Sequence, residues 1–432
     1  MRTVDVGILL ADEIEFDLIG EFSMCGKRVT GLKKVFVDNG MLICGDETAP
    51  TLCFTPSADN AFFNLHDVII GVNFHWQRKE NQSFKGELLF IVEDGMVRAI
   101  NRVGVEEYLV SVISSEMSAT SSLEFLKAHT IISRSWLYSQ LLRKEKTAQS
   151  ALGWENGEEV IRWYAREDHT LFDLCADDHC QRYQGVTRAL NPNVERAVRE
   201  TCDMVLMSGG EVCDARFSKC CGGVTERFSA CWENEDYDYL QAFRDCQGDE
   251  PLPDLTTEDG AREWIESEPT SYCSGVDRAI LSQVLNGYDQ ETSDFYRWRV
   301  EYTQDELSAL VRERSGMDFG IVEELQPVER GASGRIVRLR IVGSKAVKVV
   351  GKELEIRRWL SPTHLYSSAF VVDKENVGNQ GCKFVLKGAG WGHGVGLCQI
   401  GAAVMGERGY SYDSILGHYY PGAVIADVNT VL

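Results

Sequence analysis

Short apolar runs alternate with turn-forming residues over the first hundred residues of the chain. Runs at residues 6–10, 35–37 and 68–70 are separated by Gly, Asn and Asp. Apolar runs of this length, bounded by residues that favour turns, are typical of β-strands. We therefore predict an N-terminal region of antiparallel β structure over residues 1–100.

The hydrophobic period changes after residue 100. Apolar and small residues then recur three or four positions apart, which predicts a helix of about five turns with one such stripe along it. The stripe consists of Leu123, Leu126, Thr130, Ser133, Leu137 and Leu141. A shorter helix is predicted over residues 105–115, because Glu106 and Glu107 stand in its first turn, where the helix dipole favours negative charge. Both helices fall in a predicted core region over residues 101–232.

The second half of the chain begins with an acidic stretch. Residues 233–325 are polar and rich in Asp and Glu, which predicts a solvated α/β segment inserted between two parts of the core. Strand-like alternation then resumes, with apolar residues on the core face and with Arg335, Arg338 and Arg340 facing water. A β-rich region over residues 326–432 completes the chain. The predicted fold class is α+β, a β-rich body with a helical segment and an acidic insertion.

Composition and charge narrow the classes of partner. The chain has 432 residues, and 66 Asp and Glu against 44 Lys and Arg give a formal charge of -22. Because this charge repels phosphate backbones, we expect no nucleic acid partner. Charged residues interrupt every long apolar run, so no transmembrane segment is expected.

The N-terminus and the cysteines bear on the compartment. Asp5 stands where a secretory signal would have its apolar core, so no signal peptide is visible. Most of the 14 cysteines lie singly in apolar stretches, as small buried side chains do. Those predicted to be buried are Cys25, Cys44, Cys53, Cys202, Cys213, Cys382 and Cys398. Both features favour a reducing, cytoplasmic compartment, although a chain that begins after a removed leader would look the same.

Glu116 is the first candidate for chemistry. It follows an apolar helical run, and a carboxyl group held at the end of such a run is partly desolvated, which favours the protonated form that a general acid needs. The alternative is a solvent-exposed glutamate at a helix end, which is the more common arrangement on sequence alone. Both interpretations stay open at this point.

A histidine and two cysteines fall within a short stretch, at His169, Cys175 and Cys180. Imidazole and thiolate are ligands that Zn²⁺ prefers, and three of them with a fourth group nearby give a tetrahedral site. The spacing is irregular for a zinc finger, and two buried cysteines beside a surface loop would give the same pattern. His179, next to Cys180, could be a fourth ligand.

Residues 214–226 contain a Gly-Gly pair that predicts a tight turn close to a neighbouring backbone. Cys220 and Cys221 directly precede it, and adjacent cysteines are hard to join as a disulfide. Cys221 could be a nucleophile, but its apolar neighbours in the sequence offer no base.

Five of the six glycines in residues 388–402 alternate with larger residues. On an extended chain this alternation places Trp391 and His393 on the same side, and an aromatic ring beside a histidine suits a carbohydrate platform. A phosphate-binding loop is excluded, because no Gly-Lys-Ser/Thr ending follows and the chain is acidic.

Several of these segments resemble motifs of the stage II sporulation protein D and amidase-enhancer family of bacterial cell-wall proteins. The most specific match is residues 388–402, where Leu397 and Cys398 replace the Met and Ser of the family pattern. A Glu-Met pair at the end of a helix, a Gln-Xaa-Tyr-Gln-Gly run ending at Gly185 and a Tyr-Tyr-Pro-Gly turn near the C-terminus also match. Ser118 stands where the family usually has Pro. The likeness covers the chain from about residue 100 onward, apart from the acidic stretch.

The resemblance implies a lytic transglycosylase that cleaves the bond between N-acetylmuramic acid and N-acetylglucosamine in peptide-stripped glycan strands, with Glu116 as both acid and base. It also implies a zinc ion, with a structural role, at His169, Cys175 and Cys180. The implied glycan-binding residues are Gln181, Tyr183, Gln184, Ser218, Cys221, Thr225, Trp391, His393 and Gln399. A cell-wall amidase that strips the peptides beforehand is the implied partner, and the cell envelope is the implied location.

Two other functions stay open beside this one. In the first, the zinc is catalytic and activates a water molecule for hydrolysis. In the second, the protein is a non-catalytic module that binds glycan and stimulates an N-acetylmuramoyl-L-alanine amidase.

Overall fold

The computed structural model describes residues 2–70, 78–117, 120–144, 153–164, 169–177, 180–187, 192–284, 294–376 and 382–431. The chain divides into two compact units. Unit 1 comprises Met1–Ala119 and Arg166–Cys202, and unit 2 comprises Thr120–Ala165 and Asp203–Leu432. The four regions proposed from composition remain a prediction, since the units are defined by contacts and not by composition.

The elements of secondary structure follow one another along the chain. The first ten strands are β1 (Thr3–Ala11), β2 (Glu13–Met24), β3 (Lys27–Asp38), β4 (Met41–Cys44), β5 (Glu47–Ala49), β6 (Thr51–Pro56), β7 (Phe62–Ile70), β8 (Arg78–Phe84), β9 (Glu87–Glu93) and β10 (Met96–Gly104). Next come α1 (Val105–Glu116), α2 (Leu123–Lys144), β11 (Gly153–Glu155), β12 (Glu159–Arg162), β13 (Leu174–Cys175), α3 (Pro192–Glu200), β14 (Met204–Ser208) and β15 (Glu211–Val212).

The remaining elements all belong to unit 2. They are β16 (Phe217–Ser218), α4 (Glu258–Glu266), α5 (Arg278–Val284), β17 (Arg297–Thr303), α6 (Gln304–Ser315), β18 (Val322–Arg330), β19 (Ile336–Gly343), β20 (Val347–Gly351), α7 (Glu353–Trp359), β21 (Phe370–Asn376), β22 (Cys382–Ala389), β23 (Leu397–Cys398), α8 (Gln399–Glu407), α9 (Tyr412–Tyr419) and β24 (Val424–Asp427). The predicted α+β class is confirmed, and so are both predicted helices.

Unit 1 is organised around one large sheet. Its strand order is β13-β1-β10-β9-β6-β2-β3-β4-β5, with β7 branching from β2 and β8 pairing with β7. All of these pairs are antiparallel except the parallel pair of β1 and β13. Alternate residues such as Ile14, Phe16 and Leu18 are buried while their neighbours reach solvent, as expected for a sheet that covers a core with one face. The rings of Phe16, Phe54 and Phe90 pack together there, with centroids 4.9–6.0 Å apart.

Unit 2 has smaller sheets with helices packed on them. The order of its five-stranded sheet is β11-β12-β20-β19-β18, and a three-stranded sheet has the order β17-β22-β21. In β19 the apolar residues are buried and Arg340 is exposed, as the alternation predicts. Arg335, predicted to face water, is instead 1% exposed. It precedes the strand, so the strand's alternation does not determine its direction.

The acidic stretch is less solvated than its composition predicts. Leu255, Trp264 and Ile265 join a buried cluster with Val371 and Ala389. A second buried cluster takes Trp298, Leu307, Val311 and Phe319 from the same stretch. Its acidic side chains cover a surface while its apolar residues complete the core of unit 2.

Helix α2 is buried on more than the predicted stripe. Its residues 128–141 are all buried, including Arg134 and Ser135, which lie outside the stripe. The small polar residues satisfy backbone groups: the Ser135 hydroxyl donates to the Ile131 carbonyl (2.6 Å) and accepts from the Leu206 amide (2.8 Å). The Arg134 guanidinium donates to the Met204 carbonyl at 3.0 Å. Apolar residues outside the stripe, among them Ile131, Ile132 and Trp136, are buried as well, so the core of unit 2 surrounds this part of the helix.

The cysteines are free thiols, and they follow the burial prediction only in part. Cys44, Cys213 and Cys398 are buried, whereas Cys25 and Cys202 are exposed. Cys53 and Cys382 are half-buried. Within the described part of the chain, no helix is both long enough and apolar enough to cross a membrane.

The burial of α2 predicts a pH dependence of stability. Desolvation, reinforced by the charge of Lys219, lowers the pKa of His129 to about 3. In the unfolded chain this residue takes up a proton below about pH 6.5, so falling pH favours unfolding, by about 1.4 kcal/mol between pH 7.5 and 5.5. The variant His129→Gln should lack this contribution, and urea unfolding at both pH values measures it. Equal losses of stability in the variant and the parent chain would contradict the prediction.

Candidate functional site

Helix α1 ends at Glu116, the predicted catalytic residue. The helix is anchored by a buried face that includes Tyr108, Leu109 and Val112. Met117 ends it with extended backbone, and its amide still donates to the Ile113 carbonyl at 2.9 Å. Glu116 itself is half-buried. The structure therefore places this carboxyl group on a rigid element at the border between core and solvent.

Tyr108 is the residue that links α1 to the Gln-Arg-Tyr-Gln-Gly run. Its hydroxyl donates to Gln181 Oε1 at 3.2 Å, and its ring stacks on Tyr183 with centroids 5.2 Å apart. Burial raises the pKa of Tyr108 well above its usual value, so its hydroxyl stays protonated and remains a hydrogen-bond donor. Sequence reasoning missed this residue, because a tyrosine in an apolar helix is not distinctive.

The Gln-Xaa-Tyr-Gln-Gly run contains three of the residues that the family resemblance implies for glycan binding. Residues 181–184 form no strand, and Gln181, Tyr183 and Gln184 are each at most 6% exposed. The Tyr183 hydroxyl donates to Asn101 Oδ1 at 2.6 Å, and the Gln184 amide donates to Ser111 Oγ at 3.2 Å. These bonds hold the run against α1 and β10, and glycan contact by its three residues stays a prediction.

His169, Cys175 and Cys180 are brought together in unit 1. One nitrogen or sulfur atom from each lies within 4.8 Å of the others, and all three side chains are half-buried. The loop is fixed because β13 pairs with β1, with Gly7 opposite Cys175. The Ala176 amide also donates to the Gly7 carbonyl at 3.0 Å. The set of one imidazole and two thiols matches the ligands that zinc prefers, while His179 lies outside the described residues.

Strand β16 ends at Ser218, and the loop after it contains Cys221 and Thr225; all three of these predicted binding residues are buried. The Thr225 hydroxyl donates to the Gln241 carbonyl at 2.9 Å and accepts from the Phe243 amide at 3.0 Å, so its bonding capacity is taken up within the loop. Ser218 is 6% exposed, and its hydroxyl has no partner among the described residues.

Cys221 does have an acidic neighbour, contrary to the expectation from sequence. Its sulfur lies 3.2 Å from Asp245 Oδ2. Burial raises the pKa of Cys221 well above its usual value, so without a bound metal ion the residue is a poor nucleophile.

The glycine-rich segment is a loop and not the extended chain that was predicted. Gly390, Gly392, Gly394 and Gly396 have φ angles of 77°, 90°, 76° and 69°, which only glycine adopts readily. Since every second residue turns the chain in this way, the side chains do not alternate as on a strand.

The side chains of Trp391 and His393 are nevertheless both partly exposed to solvent. The Trp391 ring stacks on Phe295 with centroids 4.8 Å apart, so one of its faces is covered. His393 Nδ1 accepts a bond from the Val395 amide at 3.0 Å, which fixes the ring. Desolvation, together with nearby guanidinium groups, lowers the pKa of His393 well below its usual value. The imidazole is therefore neutral and presents its other nitrogen as a donor.

Gln399 is buried at the start of α8 and contacts α2. Its Nε2 atom lies 3.1 Å from His129 Nε2. This predicted glycan contact is therefore a link between two helices of unit 2.

A buried pair of charged residues holds the glycine-rich loop in place. The Arg335 guanidinium donates to the carbonyls of Gly392 (3.0 Å) and Cys221 (3.3 Å) and to Ser333 Oγ (2.9 Å). Ser333 in turn donates to Glu226 Oε2 at 2.6 Å. Sequence reasoning missed both charged residues, because a charged side chain is by default predicted to face water.

Unit 2 also contains an open groove of about 870 Å³. Trp154, Glu226 and Lys352 are among its lining residues, and Trp391 and His393 are not. The groove and the glycine-rich loop are thus separate features of the same unit.

Comparisons with known proteins match two parts of the chain. Residues 93–207 match the family described as Stage II sporulation protein, and residues 226–396 match a domain of unknown function, DUF8618. The two matched segments together contain most of the residues described above.

Whole-chain comparisons find bacterial relatives. The amidase enhancer of Bacillus subtilis (strain 168) is 26% identical over 333 residues, which are 73% of this chain but 40% of that protein. Stage II sporulation protein D of the same organism is 20% identical over 78% of both chains. An uncharacterized protein of Brachyspira hyodysenteriae is 23% identical over 81% of this chain and 73% of its own length. This chain therefore spans less than half of the length of the amidase enhancer.

The glycine-rich loop predicts a contrast between two substitutions. Gly394 and Gly409 both have positive φ, at 76° and 83°, so alanine costs about 1–2 kcal/mol in backbone strain at either position. A Cβ atom at Gly394 would collide with the Arg335 guanidinium, whereas at Gly409 it would meet nothing within 4 Å. Gly394→Ala should therefore lower the free energy of unfolding by about 1–3 kcal/mol more than Gly409→Ala, as measured by urea denaturation. Equal effects would contradict the described packing.

Proposed function

Because the chain belongs to the stage II sporulation protein D and amidase-enhancer domain family, we propose that it is a peptidoglycan lytic transglycosylase. Its substrate is the glycan strand after the peptides have been removed. The bond cleaved joins N-acetylmuramic acid to N-acetylglucosamine, and the product carries a 1,6-anhydro-N-acetylmuramic acid end. A wall amidase would supply the substrate, and the cell envelope would be the place of action.

Glu116 carries both chemical steps. As an acid it gives its proton to the glycosidic oxygen, so the N-acetylglucosamine side leaves as an alcohol while positive charge develops at C1 of the muramoyl ring. As a base it then takes the proton from the C6 hydroxyl of the same ring, whose oxygen bonds to C1. The nucleophile is part of the substrate, so the reaction needs one carboxyl group and consumes no water.

The observation that carries the proposal is the setting of Glu116. The residue is half-buried at the end of a helix whose other face is packed. A side chain held on a rigid element at the edge of the core meets the positional requirement of a general acid and base.

Zinc at His169, Cys175 and Cys180 would have a structural role. When bound, the ion would join the imidazole and the two thiolates and stiffen the loop that leads into Gln181–Gly185. That run contacts Tyr108, so the loop supports the helix that carries Glu116. In unit 2 we retain Trp391, His393 and Ser218 as candidates for glycan contact, since the first two reach solvent and the third has an unused hydroxyl.

A relative's name favours a second candidate function. The amidase enhancer suggests a protein that binds glycan and stimulates an amidase without cleaving the strand. Digestion of peptide-free glycan with the purified chain separates the two functions, because only the transglycosylase releases anhydro-muramoyl ends. Binding without such ends would support the enhancer.

Replacement of the proposed acid gives a direct test. Glu116→Gln should lower the rate of anhydro-muramoyl release by about 100-fold to 10,000-fold, because the amide can neither give nor take the proton. Glu107→Gln is the matched control, since Glu107 is an exposed carboxylate on the same helix. Products are quantified by mass spectrometry and zinc by elemental analysis. Unchanged cleavage by Glu116→Gln would favour the zinc-dependent hydrolase instead.

Removal of a zinc ligand gives the second test. Cys180→Ser should lose one zinc per chain, lower the unfolding temperature of unit 1 and slow cleavage, because the loop is no longer held. Cys53→Ser, which changes another half-buried thiol of unit 1, should leave zinc content unaltered. Full zinc content in Cys180→Ser would reject this residue as a ligand.

A further inference from the structure

Four potential metal ligands meet inside unit 2, apart from the His169 group. They are Cys221, Asp245, Cys273 and Cys398, all of them buried. One sulfur or oxygen atom from each lies within 4.8 Å of all the others. The distance from the Cys221 sulfur is 3.2 Å to Asp245 Oδ2 and 3.6 Å to the Cys273 sulfur.

We propose that these four residues bind one zinc ion in a closed structural site. A tetrahedral ion with bonds of about 2.3 Å to sulfur and about 2.0–2.2 Å to oxygen has ligand separations of about 3.5–3.8 Å. The sulfur–sulfur separation of 3.6 Å lies within this range, and the sulfur–oxygen separation of 3.2 Å is slightly shorter, so a small outward shift of the carboxylate would accommodate one ion at the centre of the cluster. All four positions are supplied by the protein, which is the arrangement of a structural site and leaves no position for a reacting water.

The carboxylate is oriented as a metal ligand requires. Asp245 Oδ1 lies 3.1 Å from His418 Nε2 and accepts from the Tyr419 hydroxyl at 2.9 Å. Those contacts occupy one oxygen and leave Oδ2 directed at Cys221. Outer hydrogen bonds of this kind commonly fix a ligating carboxylate.

Backbone amides point at the sulfur atoms. The Cys398 sulfur lies 3.3 Å from the Cys221 amide and 3.5 Å from the Gly401 amide, at the N-terminus of α8. The Cys221 sulfur accepts from the Gly223 amide at 3.3 Å. Amide donors and a helix N-terminus both favour negative charge, so they stabilise thiolates. A purely apolar thiol cluster would not need them.

The site would fasten distant parts of the chain to one another. Asp245 and Cys273 come from the acidic stretch, Cys221 from the loop after β16, and Cys398 from the end of the glycine-rich loop. Cys220, next to the cluster, exchanges amide and carbonyl bonds with Trp391 at 3.0 and 2.8 Å. An ion here would therefore also steady the loop that carries Trp391.

The test uses the full chain, reduced and freed of metal. In the variant Cys175→Ser/Cys180→Ser, which lacks two ligands of the unit 1 group, Co²⁺ should bind with one equivalent and give the thiolate charge-transfer and tetrahedral absorption bands of a sulfur-rich site. Adding Cys273→Ser should abolish these bands. Adding Cys213→Ser instead should preserve them, because Cys213 is an equally buried thiol of unit 2 outside the cluster.

Zinc content of the unmodified chain gives an independent measurement. Two zinc ions per chain are expected, falling to one in Cys175→Ser/Cys180→Ser. A folded double variant that binds no metal would overturn this proposal, as would equal cobalt spectra with and without Cys273. A Cys221–Cys273 disulfide in the freshly purified chain would also overturn it. One ion in both the unmodified chain and the double variant would sustain this site and reject zinc in unit 1.

If Cys273→Ser fails to fold, Asp245→Asn replaces it in the test. This substitution keeps the side-chain volume and removes the charged ligand, so it should weaken cobalt binding and alter the absorption bands. An unaltered spectrum in Asp245→Asn would show that the carboxylate is not a ligand and would overturn the proposed ligand set.

Discussion

The architecture of unit 2 depends on one buried guanidinium group. The Arg335 guanidinium donates hydrogen bonds to the carbonyls of Gly392 and Cys221 and to the hydroxyl of Ser333. The Ser333 hydroxyl in turn donates to the carboxylate of Glu226. A buried charge is tolerated only when its hydrogen-bonding capacity is met, and here the partners are loop carbonyls that would otherwise lack donors. The glycine-rich loop and the loop after β16 are held together by this group, by the parallel pairing of β16 with β23 and by the two backbone bonds between Cys220 and Trp391.

The sequence predicted regular elements well and the direction of individual charged side chains less well. Periodicity identified α1, α2 and the alternation of β19, because those patterns follow from which side of an element meets the core. It misplaced Arg335, because a charged residue just outside a strand is directed by tertiary partners that no local pattern reveals. Thr130, a small polar residue of the predicted stripe, bonds to the Leu126 carbonyl of its own helix, whereas Ser135, outside the stripe, accepts a bond from the Leu206 amide of a neighbouring element.

The candidate sites also differ in how far the sequence could predict them. His169, Cys175 and Cys180 are close in sequence, so their spacing was enough to group them, and the structure brings the three side chains together. Cys221, Asp245, Cys273 and Cys398 span 178 positions of the sequence, from 221 to 398, and only the fold unites them. Of the predicted glycan contacts, Gln181, Tyr183, Gln184, Thr225 and Gln399 turned out to be committed to internal bonds. Family motifs mark residues that build a site as well as residues that touch a substrate, and sequence alone does not separate the two.

In the glycine-rich loop, different residues determine the backbone path and the side chains available to a ligand. Its path is fixed by residues that have no side chain and by the bond from the Val395 amide to His393 Nδ1, while the Trp391 side chain packs on the rings of Phe295 and Tyr366. The Trp391 side chain is therefore the position most open to replacement without a change in the course of the backbone. A scaffold of this kind allows ligand preference to drift during evolution, or to be redesigned, while the fold around it stays the same.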